Sequence, residues 1–233
     1  MAEAQKNKRL SFLLVRNDNL LFPLSRLLLQ IRGNFMKILF IGAAGTVGKR
    51  VIEQLTTHDI ITAGRNSGDV RVDITSRQSI EDMFRKVKGV DACICTAASG
   101  AMDDFETLTA EALYDNMKGK FFGQAQLVLT GQHFLNDKGS FTLTSGIFAD
   151  EPAKCVTAGG VISGALHSFV LSAAIELKRG LRINVVSPGM VEDSAKDYGH
   201  LFPDLRPVLM TDITKAYLDS LNTNITGQIF RVY

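Results

Sequence analysis

The stretch MKILFIGAAGTVGKRVIEQL, residues 36–55, constrains the fold more than any other part of the chain. A near-continuous apolar run ends in glycine, as suits a parallel strand covered on both faces. Glycines stand at 42, 45 and 48, and Val47, Val51, Ile52 and Leu55 follow at helical spacing. Strand, glycine turn and helix in direct succession predict a backbone that approaches a pyrophosphate closely. The free N–H groups and positive dipole end of the helix would face that anion. The spacing G-x-x-G-x-x-G is not the commonest one for a dinucleotide site; the strand before it and the helix after it make it specific. Gly42, Gly45, Thr46, Val47 and Gly48 are the candidate contacts.

Strands and helices then alternate. DIITAGR reads as a second strand, but NSGDVRVDIT leads at once to another short strand with no helical segment between. A parallel crossover normally needs a dozen or more residues, so the third strand is expected to be short and one helix missing. Ser76–Val87 reads as a helix with Ser76 as N-cap, VDACICTAA as a strand, Thr109–His133 as one long helix and GSFTLTS as a strand. Val161–Lys178 repeats apolar residues at helical spacing, LRINVVSPG is a strand, Thr211–Leu221 a helix and GQIFRVY the last strand. The pattern predicts an α/β fold, a doubly wound parallel sheet of Rossmann type, as a single domain over 36–233. Residues 1–35 are expected to be a poorly ordered N-terminal extension. LLFPLSRLLLQIRGNF is broken by Pro23, Ser25 and Arg26 and lacks the uninterrupted apolar core and cleavage site of a secretory signal; a basic organelle presequence is the alternative reading.

The end of the second strand discriminates between dinucleotides. An acid there would hold the ribose 2′-OH of NAD. The residues are Ala63-Gly64-Arg65-Asn66-Ser67. Arginine can fork onto a 2′-phosphate and Ser67 can donate to it, which favours NADP over NAD; Arg65 as a solvated loop cation is the plain alternative. Asp73 either accepts from an adenine amino group or is a helix-capping acid ahead of Ser76.

Composition narrows the partners. The chain is 45% hydrophobic and 21% charged, with a net charge of +2. Residues 1–35 hold six basic side chains and two acids, so the remainder stands at −2, which offers no basic surface for nucleic acid. Cys93 and Cys95 sit in the C-x-C spacing of one strand face, with no further ligands for zinc nearby; with Cys155 they are too few for a disulfide framework and fit a reducing cytoplasm. No apolar run was expected to approach the ~20 residues of a membrane span. A small-molecule substrate, no metal, no nucleic acid and no membrane are the expectations.

Several motifs together resemble the short-chain dehydrogenase/reductase family over residues 36–233. GAAGTVG is similar to its glycine motif, and CTAASG (95–100), with Ala97 and Ala98, to its turn after the fourth strand. NMKGKFF (116–122) is similar to its Asn-x-x-Gly-x-Phe segment and puts Asn116 at the active-site asparagine. RINVVSPG (182–189) is similar to its Asn-x-x-x-Pro-Gly motif, which implies that Pro188, Gly189 and Met190 border the nicotinamide. The usual Asp-Gly-Gly tail is absent.

The resemblance fails at one place. The family carries a tyrosine that moves the substrate proton and, four residues later, a lysine that lowers its pKa and holds the ribose. Those positions fall on Gly159 and Ser163, and no tyrosine lies between Ser145 and Pro188. Ser145 is the candidate for the family's serine, although strict spacing selects Gly146. The chain resembles an atypical group of the family that keeps the glycine motif and lacks the active-site pair. Tyr198 is the first candidate for a replacement acid and Lys154 the second; His167 reads as a solvated surface histidine. Ser99, Phe148, Met190 and residues 201–203 are expected to wall the pocket. Three readings stay open: an NADP-dependent oxidoreductase with a changed proton donor, a non-catalytic NADP(H) sensor or interaction protein, and a module that binds no cofactor. The resemblance implies a homodimer or homotetramer through the two long helices, whose Gly160, Gly164 and Ala165 permit close contact.

Overall fold

Strand β1 (Lys37–Ile41) lies at the centre of the sheet because its side chains are apolar on both sides. Ile38 and Phe40 enter one core layer and Leu39 and Ile41 the other, each no more than 1% exposed. The computed structural model describes residues 35–97 and 102–233. The other strands are β2 (Asp59–Gly64), β3 (Val70–Arg71), β4 (Ala92–Cys95), β5 (Ser140–Thr144), β6 (Arg182–Pro188), β7 (Met190–Val191), β8 (Pro207–Val208) and β9 (Ile229–Val232). Seven form one parallel sheet in the order β3-β2-β1-β4-β5-β6-β9. The chain winds outward from β1 to β3, then returns to the far side of β1 at β4. The C-terminal ends of β1 and β4 are thus the switch point, where ligands bind in such sheets.

The helices are α1 (Thr46–Glu53), α2 (Arg77–Lys86), α3 (Ala110–Met117), α4 (Gly123–Gly131), α5 (Thr157–Glu176), α6 (Glu192–Tyr198) and α7 (Met210–Asn222). α1 and α7 cover one face, burying Val51, Leu55, Ile213 and Tyr217. α2, α4 and α5 cover the other with Phe84, Leu127, Ile162, Leu166 and Val170.

The shortened third strand is as expected: β3 has two residues, paired to Ala63 and Gly64 of β2, and no helix stands between β2 and β3. Ser76 caps α2, its hydroxyl accepting from the Ser79 N–H at 3.3 Å. Cys93 and Cys95 share one buried face of β4 as free thiols.

Two expectations need correction. Thr109–His133 is not one uniform helix: a π-helical turn over Lys118–Phe122 separates α3 from α4. The segment after Pro188-Gly189 holds β7 and β8, which pair as a small parallel sheet around α6. And α5 does reach spanning length and apolarity, with twenty residues and no charge before Glu176. It is apolar because its inner face is packed on the sheet through Ala158, Ile162, Leu166 and Val170.

A buried polar cluster joins β6 to the chain's end. Asn184 Nδ2 donates to Ile225 O at 2.9 Å and Ser220 Oγ at 3.2 Å, and its Oδ1 accepts from Gln228 N–H at 2.9 Å. This clamp sets β9 against β6, so that the Gly189 N–H reaches Val232 O at 2.8 Å.

Candidate functional site

The glycine turn is dictated by space. Gly42 has φ +89°, and a Cβ there would stand 2.6 Å from Ala97 N and 2.8 Å from Thr96 Oγ1. A Cβ on Gly48 would lie 2.3 Å from Gly42 O. Gly45 differs: its Cβ would meet only Gly42 O, at 3.4 Å, so its other side is open. Gly45 is also the N-cap of α1 and has no side chain to accept from the first-turn N–H groups, to which Thr46, Val47 and Gly48 belong. An uncapped helix start, opening at the switch point and bordered by a residue without a side chain, has room for an anion and donors for it.

At the end of β2, Arg65 is an exposed cation 3.5 Å from Asp73. Asp73 caps its own turn: its Oδ1 accepts from the Thr75 N–H at 3.0 Å and hydroxyl at 2.8 Å. Those bonds, and less strongly Arg65, hold its carboxyl below the usual carboxylate range. Asp73 thus turns its carboxylate onto Thr75, two residues on, and the helix after it takes its cap from Ser76. Asn66 and Ser67 are exposed beside Arg65.

A cavity of about 350 Å³ lies at the same sheet edge. Pro188, Gly189 and Met190 line it from β6 and β7, Gly159 and Ser163 from α5, and Phe148 and Phe202 from the loops. Gly159 and Ser163, where the resemblance implies the family's tyrosine and lysine, thus share one cavity wall. Tyr198 lines it as well from α6, 54% exposed. Ser99 and the candidate contact Ala98 lie outside the described residues, while Ala97 stands two residues beyond the end of β4 and abuts Gly42.

Three candidate residues are placed differently from the sequence expectation. Asn116 is half-buried in the last turn of α3 and does not line the cavity. Lys154 is exposed and does not line it. His167 is not a surface residue. It is 7% exposed, and its Nε2 lies 2.8 Å from Ser145 Oγ. Eight residues beyond Gly159, it is turned about 80° around the helix, from the cavity wall to the sheet face where β5 ends. Ser145 lines the cavity, but its hydroxyl is committed to His167 and, at 3.5 Å, to Val186 O.

Burial lowers the His167 pKa, partly opposed by Asp150 at 3.9 Å. Asp150 itself is held by Arg231, at 3.0 and 3.2 Å, and by the Tyr233 hydroxyl. A histidine whose folded pKa is depressed binds fewer protons folded than unfolded. Stability from this group is therefore full above the ordinary histidine value of 6.5 and lost as pH falls through the depressed pKa. Urea unfolding at pH 7.5 and 5.5 is expected to show this loss in the wild type and a smaller one in His167→Gln.

One residue was missed by the sequence reading. Lys120, within the π-helical turn, lines the cavity, and its Nζ donates to Ser145 O at 3.1 Å. No carboxylate pairs with it among the described residues. Burial pushes its pKa down to about 8. The only available signal was its position one turn after Asn116.

A wound parallel sheet with a glycine turn at its switch point and a cavity alongside defines a nucleotide-binding α/β protein of the dehydrogenase type. Comparison with known proteins narrows the class. A family model described as "Enoyl-(Acyl carrier protein) reductase" matches residues 44–214, and the chain belongs to the short-chain dehydrogenase/reductase family. The protein lin1944 from Listeria innocua is similar at 42% identity and TM-score 0.83, over 85% of this chain and 100% of that one. The uncharacterized oxidoreductase YmfI of Bacillus subtilis is 26% identical over 83% of this chain and 96% of its own length. The short-chain dehydrogenase/reductase ATR9 of Stachybotrys chlorohalonatus is 34% identical over 50% of this chain, a match spanning 48% of that relative. A small-chain dehydrogenase in complex with NADPH shares the fold at TM-score 0.76 and 22% identity, over 85% of this chain and 97% of that one.

Proposed function

We propose that the protein is an NADP(H)-dependent oxidoreductase acting on an unidentified small molecule, with a non-standard active site. The observation that carries this reading is the glycine turn: an uncapped helix start beside Gly45 at the switch point, at the same end of the sheet as a cavity walled by Pro188, Gly189 and Met190. Gly42, Gly45, Thr46, Val47, Gly48 and Ala97 would hold the pyrophosphate side. Arg65, with Asn66 and Ser67, would receive the 2′-phosphate, since no acid stands at the end of β2 to favour a free ribose hydroxyl. When bound, the cofactor supplies the hydride, and the protein supplies position and the proton. The NADPH complex of a protein with the same fold supports the choice of nucleotide.

The site is non-standard because α5 carries Gly159 and Ser163 on the cavity wall and neither tyrosine nor lysine anywhere along it. That absence favours a second reading, a protein that binds NADP(H) without turning it over. Hydride transfer to a panel of carbonyl compounds separates the two. A homodimer or homotetramer fits the outer face of α5, where Val161, Leu171 and Ile175 are 41%, 52% and 85% exposed, with Leu129 of α4 at 52%.

The test of nucleotide choice is Arg65→Ala. Charge-assisted bonds to a phosphate contribute roughly 1.5–3 kcal/mol. NADPH affinity is expected to fall about tenfold or more while NADH affinity stays unchanged, by fluorescence titration. Equal loss for both nucleotides contradicts the assignment of Arg65.

A further inference from the structure

We propose that Lys120, projecting into the cavity from the π-helical turn between α3 and α4, is the proton donor to the substrate carbonyl, in place of the pair missing from α5. The inference rests on the reading of the cavity as an NADP(H)-dependent site.

Four observations converge on it. Lys120 lines the same cavity as Gly159 and Ser163, so it faces the volume that a tyrosine and a lysine would otherwise fill. A Cβ built on Gly159 would meet nothing nearer than Phe148 Cδ2 at 3.5 Å, which leaves that volume open to a reacting group. Among the described residues the ammonium has one neutral acceptor, Ser145 O at 3.1 Å, which leaves donors for a ligand oxygen. And the helix is re-wound where the lysine emerges: the i→i+5 turn spans Lys118–Phe122 and shifts the register by one residue. Such turns occur frequently at functional sites.

The charged and titratable groups around it are few. Cys95 faces it from β4 and is itself pushed up to about 12 by burial, so it stays a neutral thiol. His167 stands beyond Ser145 on α5, held neutral by burial, and Tyr198 lines the far wall from α6. α4 presents Gln124, whose amide is bonded to Lys120 O and Thr144 O. Among the described residues no anion pairs with the ammonium, and burial brings its pKa to about 8, near the operating range of a general acid.

The step balances. A hydride passes from NADPH to the carbonyl carbon, and the carbonyl π-electrons become the oxygen lone pair. Lys120 Nζ–H protonates that oxygen, leaving a neutral amine, an alcohol and NADP⁺. Solvent reprotonates the amine. In the reductive direction kcat/KM is thus level below about pH 8 and falls above it; oxidation shows the opposite slope.

The test uses the full chain as wild type, Lys120→Met, Lys120→Arg and Tyr198→Phe. Competitive acetylation across pH, read by mass spectrometry, gives the Lys120 amine a midpoint near 8 and shows shielding by NADPH. Reduction of benzil, an apolar vicinal diketone, falls a hundredfold or more in both Lys120 variants while NADPH binding persists; an arginine keeps the charge but does not release a proton. Wild-type turnover retained in Lys120→Met, an unchanged pH profile, or loss confined to Tyr198→Phe overturns the proposal and leaves the cofactor site standing. NADPH binding without reduction of benzil or any other carbonyl in the panel overturns the donor role in favour of the non-catalytic reading. Failure of the wild type to bind NADPH overturns the underlying functional reading, and this inference with it.

Discussion

Gly48→Ala is expected to destabilise the protein by about 3 kcal/mol, the upper range for forcing an added methyl into a packed site. The added Cβ would stand 2.3 Å from Gly42 O, a backbone atom that cannot swing aside, so α1 has to move away from the turn. For a chain of this size each kcal/mol lowers Tm by roughly 2–4 °C, which predicts a fall of about 6–12 °C in a calorimetric scan. Gly45→Ala provides the contrast. Its Cβ meets one atom at 3.4 Å, so Tm should hardly move, yet the methyl would occupy the open side of the helix start and lower NADPH affinity tenfold or more. If both variants lose stability equally, Gly45 is only a packing glycine and the anion site loses its main support.

Asn184→Leu is the second large effect. The side chain is fully buried, donating to Ile225 O and Ser220 Oγ and accepting from Gln228 N–H. Leucine matches its volume closely but leaves the Gln228 N–H without a partner and removes a donor from a buried hydroxyl network that continues to Thr142 Oγ1 at 2.7 Å. A buried donor left unpaired costs about 1–3 kcal/mol, and the loss of its neighbours' bonds brings the expected total to about 3 kcal/mol. The consequence reaches the site, because this clamp holds β9, and β9 accepts from the Gly189 N–H. Hydrogen exchange at Val185 and Gly189 should speed up in the variant before global unfolding does. Unchanged exchange there would mean that the Pro188-Gly189 wall is held by something other than the clamp.

The sheet was legible in the sequence because parallel strands covered on both faces need near-continuous apolar runs, and MKILFIG and DACICTA have them. The missing helix was legible from chain length alone: the stretch between Gly64 and Val70 is too short to cross over. The site was half legible. Glycines that a Cβ would break are visible as glycines, and α5 visibly has neither tyrosine nor lysine, with Gly159 and Ser163 where the resemblance implies them. Lys120 was not visible, since a lysine in an otherwise regular helical repeat reads as a solvated side chain, and the π-helical turn that aims it inward leaves no mark in hydrophobic periodicity. His167 was misjudged for a related reason. Its rotation from Gly159 took it off the cavity wall, but the sheet face that receives it, with Ser145 as partner, depends on how β5 and α5 pack. The segment 190–208 lacks any apolar period, so β7, α6 and β8 had no sequence signal.

The central claim is that a phosphorylated dinucleotide binds in the glycine turn although the family's proton-handling pair is gone. Isothermal titration of the full chain with NADPH tests it most directly. Saturable one-to-one binding, at least tenfold tighter than for NADH, is the predicted result; no heat of binding with NADPH raised to millimolar concentration would contradict it.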